Sequence, residues 1–192
     1  MEDEIVKLEP LDLSRVFASH PRLETERLIL RATSPDDAEA IFDYASDPIA
    51  TEFMIFQRHQ SIQESIDFIK YNAACFEKRE RLAFAISLKE SDELIGTCDY
   101  HHIAPEDHRA EIGYILRRKF WGQGYATEVT QGLIRFGFDV MGLHRLEAIC
   151  NVRNVASARV LEKAGMQREA TFRDREIRNG KYQSGHFYAI LQ

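Results

Sequence analysis

The most constraining feature of the chain is a run of small residues at the point where the hydrophobic pattern changes period. It reads Trp121, Gly122, Gln123, Gly124, Tyr125, Ala126, Thr127. Upstream, apolar residues fall at every second position. Leu82, Phe84, Ile86 and Leu88 mark one strand, residues 94–102 a second and residues 109–116 a third. A Ser91-Asp92 turn and a Pro105-Glu106-Asp107 loop separate them. Downstream, Ala126, Val129, Leu133, Phe136, Gly137 and Val140 recur at helical spacing, which predicts a helix over 124–141 that stops at Gly142. The run therefore lies between a strand and a long helix. On the third strand Ala110, Ile112, Tyr114 and Leu116 share one face, and Glu111, Gly113 and Ile115 share the other.

The remaining pattern fills one domain of ordinary size. Residues 1–22 read as an N-terminal extension punctuated by Pro10 and His20-Pro21, with Leu8, Leu11, Leu13, Val16 and Phe17 available for docking; residues 23–192 form the domain. Residues 25–31 suggest a short strand. Ser34 caps a helix with Pro35 at its first position and Asp36 and Asp37 in its first turn. A second helix begins near Ser61, with Glu64 completing a capping box and Ile62, Ile66, Ile69 and Ala73 as its apolar stripe. After a strand at 146–150, Asn154 caps a helix that buries Val155, Ala158, Leu161 and Ala164. Gly165 is its left-handed stop and Met166 the hydrophobic contact that follows. Strands near 171–177 and 187–191 end the chain. The order β-α-α-β-β-β-α-β-α-β-β predicts a mixed α/β (α+β) domain.

The glycine turn suits a pyrophosphate, because small residues let a ligand approach while the helix start directs free N–H groups and a positive dipole end at it. It is neither Gly-x-Gly-x-x-Gly nor a P-loop, so dinucleotide and nucleoside-triphosphate grammars do not apply. A net charge of −6 is a poor footprint for nucleic acid, and no stretch approaches the length of a membrane span. The acidic start Met1-Glu2-Asp3-Glu4 lacks signal-peptide features. The three separated cysteines Cys75, Cys98 and Cys150 fit a reducing, cytoplasmic setting. His101, His102 and His108 have no metal-motif spacing and no partnering cysteine, so no metal is expected. Phe53, Met54, Phe56 and Phe68 are expected to pack under the two early helices rather than to cage a ligand, and His186 and Tyr182 are candidates for an acceptor site.

Three runs together resemble the GNAT acetyltransferase superfamily. They are Ala110-Glu111-Ile112-Gly113-Tyr114-Ile115-Leu116, then Phe120-Trp121-Gly122-Gln123-Gly124-Tyr125-Ala126-Thr127-Glu128, then residues 151–166 from Asn151 through Asn154, Ser157 and Leu161 to Gly165-Met166. The likeness extends from about residue 25 to the C terminus and is closest to the Rim-type branch, named for acetyltransferases of ribosomal-protein N termini. Trp121 departs from the general superfamily pattern but is usual in that branch. The resemblance implies the GNAT fold, a mixed and mainly antiparallel sheet flanked by helices. It implies acetyl-CoA as cosubstrate, with the N–H groups of Gln123, Gly124, Tyr125, Ala126 and Thr127 on the pyrophosphate. Backbone groups of Ile115 and Leu116, together with Asn154, would hold the pantetheine arm.

It also implies catalytic roles. Ser157 falls near the thioester sulfur, Glu111 at the position of a carboxylate base, and Glu176 at that of a carboxylate implicated in the ribosomal branch. Many relatives outside the branch place a tyrosine acid at the position of Leu161, so the general acid is left open; the acidic residue common near Gln183-Ser184 is also missing. The implied reaction is direct acetyl transfer to a primary amine, foremost a protein N-terminal α-amine. A polyamine, amino acid or aminoglycoside acceptor is the alternative within enzymes, and a non-catalytic CoA-binding sensor the alternative outside them. Homodimers are common among similar proteins.

Overall fold

The computed structural model describes residues 8–178 and 180–192. Its elements are β1 (Leu23–Glu24), β2 (Leu28–Arg31), α1 (Ala38–Ala45), α2 (Ile62–Glu77), β3 (Leu82–Leu88), β4 (Leu94–Ala104), β5 (Arg109–Leu116), α3 (Tyr125–Asp139), β6 (Arg145–Asn151), α4 (Val155–Lys163), β7 (Gln167–Arg178) and β8 (Lys181–Leu191). The strands form one eight-stranded sheet in the order β1-β2-β3-β4-β5-β6-β8-β7. Every pairing is antiparallel except β5 with β6.

Both faces of the sheet are covered, which explains why β3 is buried along its whole length. Leu82, Phe84, Ile86 and Leu88 join Val129 and Leu133 of α3 in the larger core. Ala85, on the opposite face, packs with Ile41, Tyr44 and Ile69 of α1 and α2. Within the expected extension, Leu13, Val16 and Phe17 enter the larger core while Leu8 stays exposed. The Leu11 N–H donates to the Pro105 carbonyl, and His108 Nε2 meets the Glu9 carbonyl at 2.8 Å. Residues 1–7 of that extension lie outside the described residues. Cys75, Cys98 and Cys150 are buried and free. Among the described residues no helix is long and apolar enough to cross a membrane.

Several elements differ from the sequence expectation for physical reasons. The strand expected over 25–31 begins only at Leu28, because the Thr25 hydroxyl accepts the Leu28 N–H and turns the chain between β1 and β2. The buried side of α2 carries Ser65, Ile69, Asn72 and Cys75, whereas Ile62 and Ala73 are exposed. The helix is rotated toward its polar residues, with Ser65 held by His59 at 2.9 Å. Val140 and Val155, at the ends of their apolar stripes, overrun the core and are exposed. The end of α4 follows the expected chemistry. Gly165 has φ 97°, its N–H meets the Glu162 carbonyl, and the Met166 N–H meets the Leu161 carbonyl, a Schellman stop with Met166 buried.

Candidate active site

The parallel pair β5/β6 is joined only at Arg109–Arg145, Ala110–Leu146 and Glu111–Glu147. Beyond Glu111 the strands part: β5 continues with β4, while β6 continues with β8 as far as Asn151. The chain leaves β5 through the glycine turn into α3, and leaves β6 through Val152 and Arg153 into α4. Two helix starts thus border the carboxyl end of a split parallel pair, the kind of crevice where α/β sheets bind ligands.

At the first helix start, Gly122 and Gly124 have φ 76° and 84°. A Cβ costs roughly 1–2 kcal/mol in this left-handed region. A Cβ at Gly122 would meet nothing within 4 Å, and one at Gly124 only Arg27 Nη2 at 3.5 Å. Among the described residues no acceptor engages the N–H groups of residues 122–127. On β5, the Trp121 indole N–H already donates to the Leu116 carbonyl at 2.9 Å, and the Ile115 carbonyl lies against Gly96 of β4. The open edge is therefore narrower than the sequence implied.

At the second helix start, Asn154 Oδ1 accepts the Ser157 N–H at 3.1 Å, and its Nδ2 has no acceptor among the described residues. Ser157 Oγ lies 3.1 Å from the Tyr114 hydroxyl. Burial pushes Tyr114 up to about 12 against the opposing pull of Ser157, and burial pushes the neighbouring Cys150 thiol up to about 11. Leu161 is buried beside them and offers no acid. The free Asn154 amide leads to a prediction. Asn154→Asp keeps a capping oxygen, so the melting temperature should hold, whereas losing a cap costs about 1 kcal/mol. With the pantetheine-holding role that the resemblance implies, the variant should still raise the apparent KM for acetyl-CoA, because the amide donor is gone. An unchanged KM would leave Asn154 as a cap alone.

Between the parted strands lies a cavity of about 320 Å³. Glu111, Glu176, Asn154 and Ser157 all line it, so the fold assembles on one cavity four residues spread over 66 positions of chain, 111 to 176. Glu176 donates nothing; its Oε1 accepts from Arg178 at 2.7 Å, and Arg178 also donates to the Phe53 carbonyl at 2.6 Å. Glu111 Oε1 lies 3.3 Å from His101 Nε2, and His101 Nδ1 lies 3.1 Å from Asp99 Oδ1. Asp99 in turn pairs with Arg81. Cross-strand register builds this chain, with Asp99 opposite Gly113 and His101 opposite Glu111. A Cβ on Gly113 would stand 3.0 Å from Asp99 Oδ1, so glycine lets the carboxylate lie flat across β5.

Burial opposes a charged His101, yet Asp99 and Glu111 outweigh it and push the imidazole up to about 9. Asp99, although buried, is held below the usual carboxylate range by His101 and Arg81. A raised histidine pKa stabilises the fold fully below the unfolded value near 6.5 and ceases to do so as pH rises through about 9. The native protein should therefore lose stability between about pH 7 and 9.5, and His101→Gln should flatten that slope. Denaturant titrations of both proteins across this window check it. Parallel curves would assign the slope to other groups.

The structure corrects two expectations. Phe53, Met54, Phe56 and Phe68 do more than pack under the early helices, because all four line the cavity. Tyr182 and His186 line neither this cavity nor the cleft outside it; Tyr182 is exposed and His186 bonds Thr171 at 2.9 Å. Of the three histidines weighed for metal, His108 is engaged at the N-terminal segment, while a bulge at His102, φ 47°, brings donor atoms of His101, His102 and Glu111 within 4.8 Å of one another. Both ring nitrogens of His101 are engaged in that arrangement. Arg81, Asp99, His101 and Tyr114 were not singled out for this site from the sequence. The alternation of Asp99 with His101 on β4 was the available signal, and only the register to β5 gives it meaning.

Residues 27–167 match the family model described as "Acetyltransferase (GNAT) domain". The chain is 36% identical over 172 residues to the uncharacterized N-acetyltransferase YoaA of Bacillus subtilis (strain 168), covering 90% of this chain and 97% of that protein. It is 33% identical over 102 residues to the ribosomal-protein-serine acetyltransferase of Escherichia coli (strain K12), covering 53% and 57% respectively. The crystal structure of a GNAT-family acetyltransferase from Bacillus anthracis superposes with a TM-score of 0.80 at 29% identity, over 89% of this chain and 98% of that one.

Proposed function

This chain belongs to the GNAT acetyltransferase family, and on that premise we propose that it moves the acetyl group of acetyl-CoA directly to a protein N-terminal α-amine. The observation that carries the reading is the placing of Glu111 and Glu176 on one cavity between parted β5 and β6, beside two helix starts with unused donors. The acceptor nitrogen attacks the thioester carbonyl, the amine proton passes to Glu111 directly or through one water, and the C–S bond breaks to release the CoA thiolate. Ser157 is the hydroxyl at hand to meet that thiolate. The N–H groups of Gln123 to Thr127 hold the diphosphate, and Asn154 holds the pantetheine arm.

An α-amine, with a pKa of about 8, is neutral far more often near pH 7 than a lysine at about 10.4, so it asks less of the base. A cleft of about 580 Å³ runs along residues 48–60 and past Ile177 and Arg178. It shares Met54, Ile55, Phe56 and Arg178 with the inner cavity, a path suited to an extended chain end. The name of the Escherichia coli relative, a ribosomal-protein-serine acetyltransferase, favours a protein acceptor. A thiol-release assay with acetyl-CoA against N-terminal peptides, polyamines, amino acids and aminoglycosides tests the reading. Turnover is expected with a free N-terminal peptide and should vanish when its α-amine is blocked while a lysine remains. Preferred turnover of a polyamine or aminoglycoside would move the acceptor to small molecules. CoA binding without turnover of any amine would make the protein a sensor.

A further inference from the structure

Arg27 stands beside the glycine turn in a fixed orientation. Its Nε donates to Glu128 Oε2 at 2.7 Å, and its backbone N–H donates to Glu128 Oε1 at 2.7 Å. Its Nη1 donates to the Gln123 carbonyl at 3.1 Å, and its guanidinium carbon sits 4.3 Å from the centroid of the Tyr125 ring. The Thr25 hydroxyl adds a bond to Glu128 Oε1 at 2.5 Å. The β1–β2 turn and the first turn of α3 are locked together by these contacts. Nη2 is left over: among the described residues it has no acceptor, and it lies 3.5 Å from where a Cβ on Gly124 would stand.

A carboxylate partner alone does not explain this arrangement. The Arg27 side chain is 41% exposed, and ion pairs at such sites contribute at most about 1 kcal/mol. A guanidinium differs from an ammonium in offering several donor edges at once, so it can hold one anion while presenting a free N–H pair to another. Here the free donor adjoins the turn whose own N–H groups are unused. A cation and a helix start facing the same space reinforce each other toward a phosphate.

Resting on the acetyl-transfer reading above, we propose that Arg27 is a donor-binding residue: it fixes the glycine turn through Glu128 and Gln123, and it gives its free Nη2 to the diphosphate of the acetyl donor. Two donors separate this role from general support of the fold. Acetyl-CoA carries the diphosphate and S-acetylpantetheine does not. Arg27→Ala is expected to raise KM for acetyl-CoA roughly ten- to hundredfold, the range for one hydrogen bond to a charged group, and to leave KM for S-acetylpantetheine in place. The native preference for acetyl-CoA should also shrink as ionic strength rises, and that of the variant should shrink less. An equal rise for both donors, or none for acetyl-CoA, overturns the proposal. If Arg27→Ala does not fold, Arg27→Lys decides by the same criterion, since it keeps charge and stem but cannot serve Glu128 and a phosphate together. If the native protein turns over neither donor, the acetyl-transfer reading fails by itself. Calorimetric titration of the native protein and Arg27→Lys with CoA then still decides Arg27, with equal affinities overturning it.

Discussion

Glu111→Gln is expected to lower kcat by on the order of 10²–10⁴ and to change the pH–rate profile, as removal of a general base does. Glu176→Gln is expected chiefly to raise the acceptor KM. The difference follows from what each carboxylate touches. Glu111 belongs to β5 and uses Oε1 toward His101, which leaves Oε2 without a partner among the described residues and open to an amine in the cavity. Glu176 is held by Arg178, which also grips the Phe53 carbonyl and so ties the 53–56 segment to β7. Loss of its charge should loosen the wall of the outer cleft, the one proposed for the acceptor, before it affects proton transfer. Both variants keep side-chain shape and remove only charge. They should be compared at saturating acetyl-CoA across roughly pH 6 to 9.5. The acceptor amine titrates in the same window, so the profile should be repeated with an acceptor of different pKa; a break that stays in place belongs to the enzyme. Glu111→Gln also removes one of the two carboxylates that keep His101 charged, so any break due to His101 should move to lower pH in this variant. Near-native kcat at every pH would exclude Glu111 as base and leave Glu176 or a water chain.

What was legible in the sequence divides by the range of the interactions concerned. The strands at 82–88 and 109–116, the helix capped by Asn154 and its stop at Gly165 are written in local chemistry: alternation, a capping amide, a residue that tolerates positive φ. The placing of Glu111, Asn154 and Ser157 on one cavity followed from the family resemblance, because each lies in a contiguous motif. The illegible part depends on register or on side chains far apart in sequence. His101 faces Glu111 only through the β4/β5 pairing, Tyr114 reaches Ser157 across 43 positions, and Arg27 reaches Glu128 across 101. The rotation of α2 failed for a related reason. Apolar periodicity chose Ile62 and Ala73, whereas the packed face carries Ser65 and Asn72, whose polar groups no periodic pattern ranks as core.

Gly124→Val is expected to abolish most of the affinity for CoA while leaving the sheet intact. At φ 84° the position disfavours any side chain, and a β-branched one most of all. The space around it is open, with Arg27 Nη2 at 3.5 Å as the nearest neighbour of a Cβ, so the penalty arises from backbone conformation rather than from collision with the core. The turn should relax by swinging its N–H groups out of line, and a diphosphate depends on several of them acting together. Three donors lost at about 1.5–3 kcal/mol each, the range for hydrogen bonds to a charged group, would exceed a thousandfold in affinity. The stability cost should stay near the roughly 1–2 kcal/mol of a left-handed residue, because Gly124 lies at the helix cap and contributes nothing to the core. Calorimetry with CoA and a denaturant titration read the two effects separately. Gly122→Ala is the matched control: φ is 76° there too, but a Cβ meets nothing within 4 Å and the position precedes the turn's donors. It should show a similar stability cost with a much smaller loss of binding. Unchanged CoA affinity in Gly124→Val would remove the diphosphate from this turn. An equal loss in both variants would mean that any disturbance between Trp121 and Tyr125 disables the site, and that the placing of individual N–H groups does not decide it.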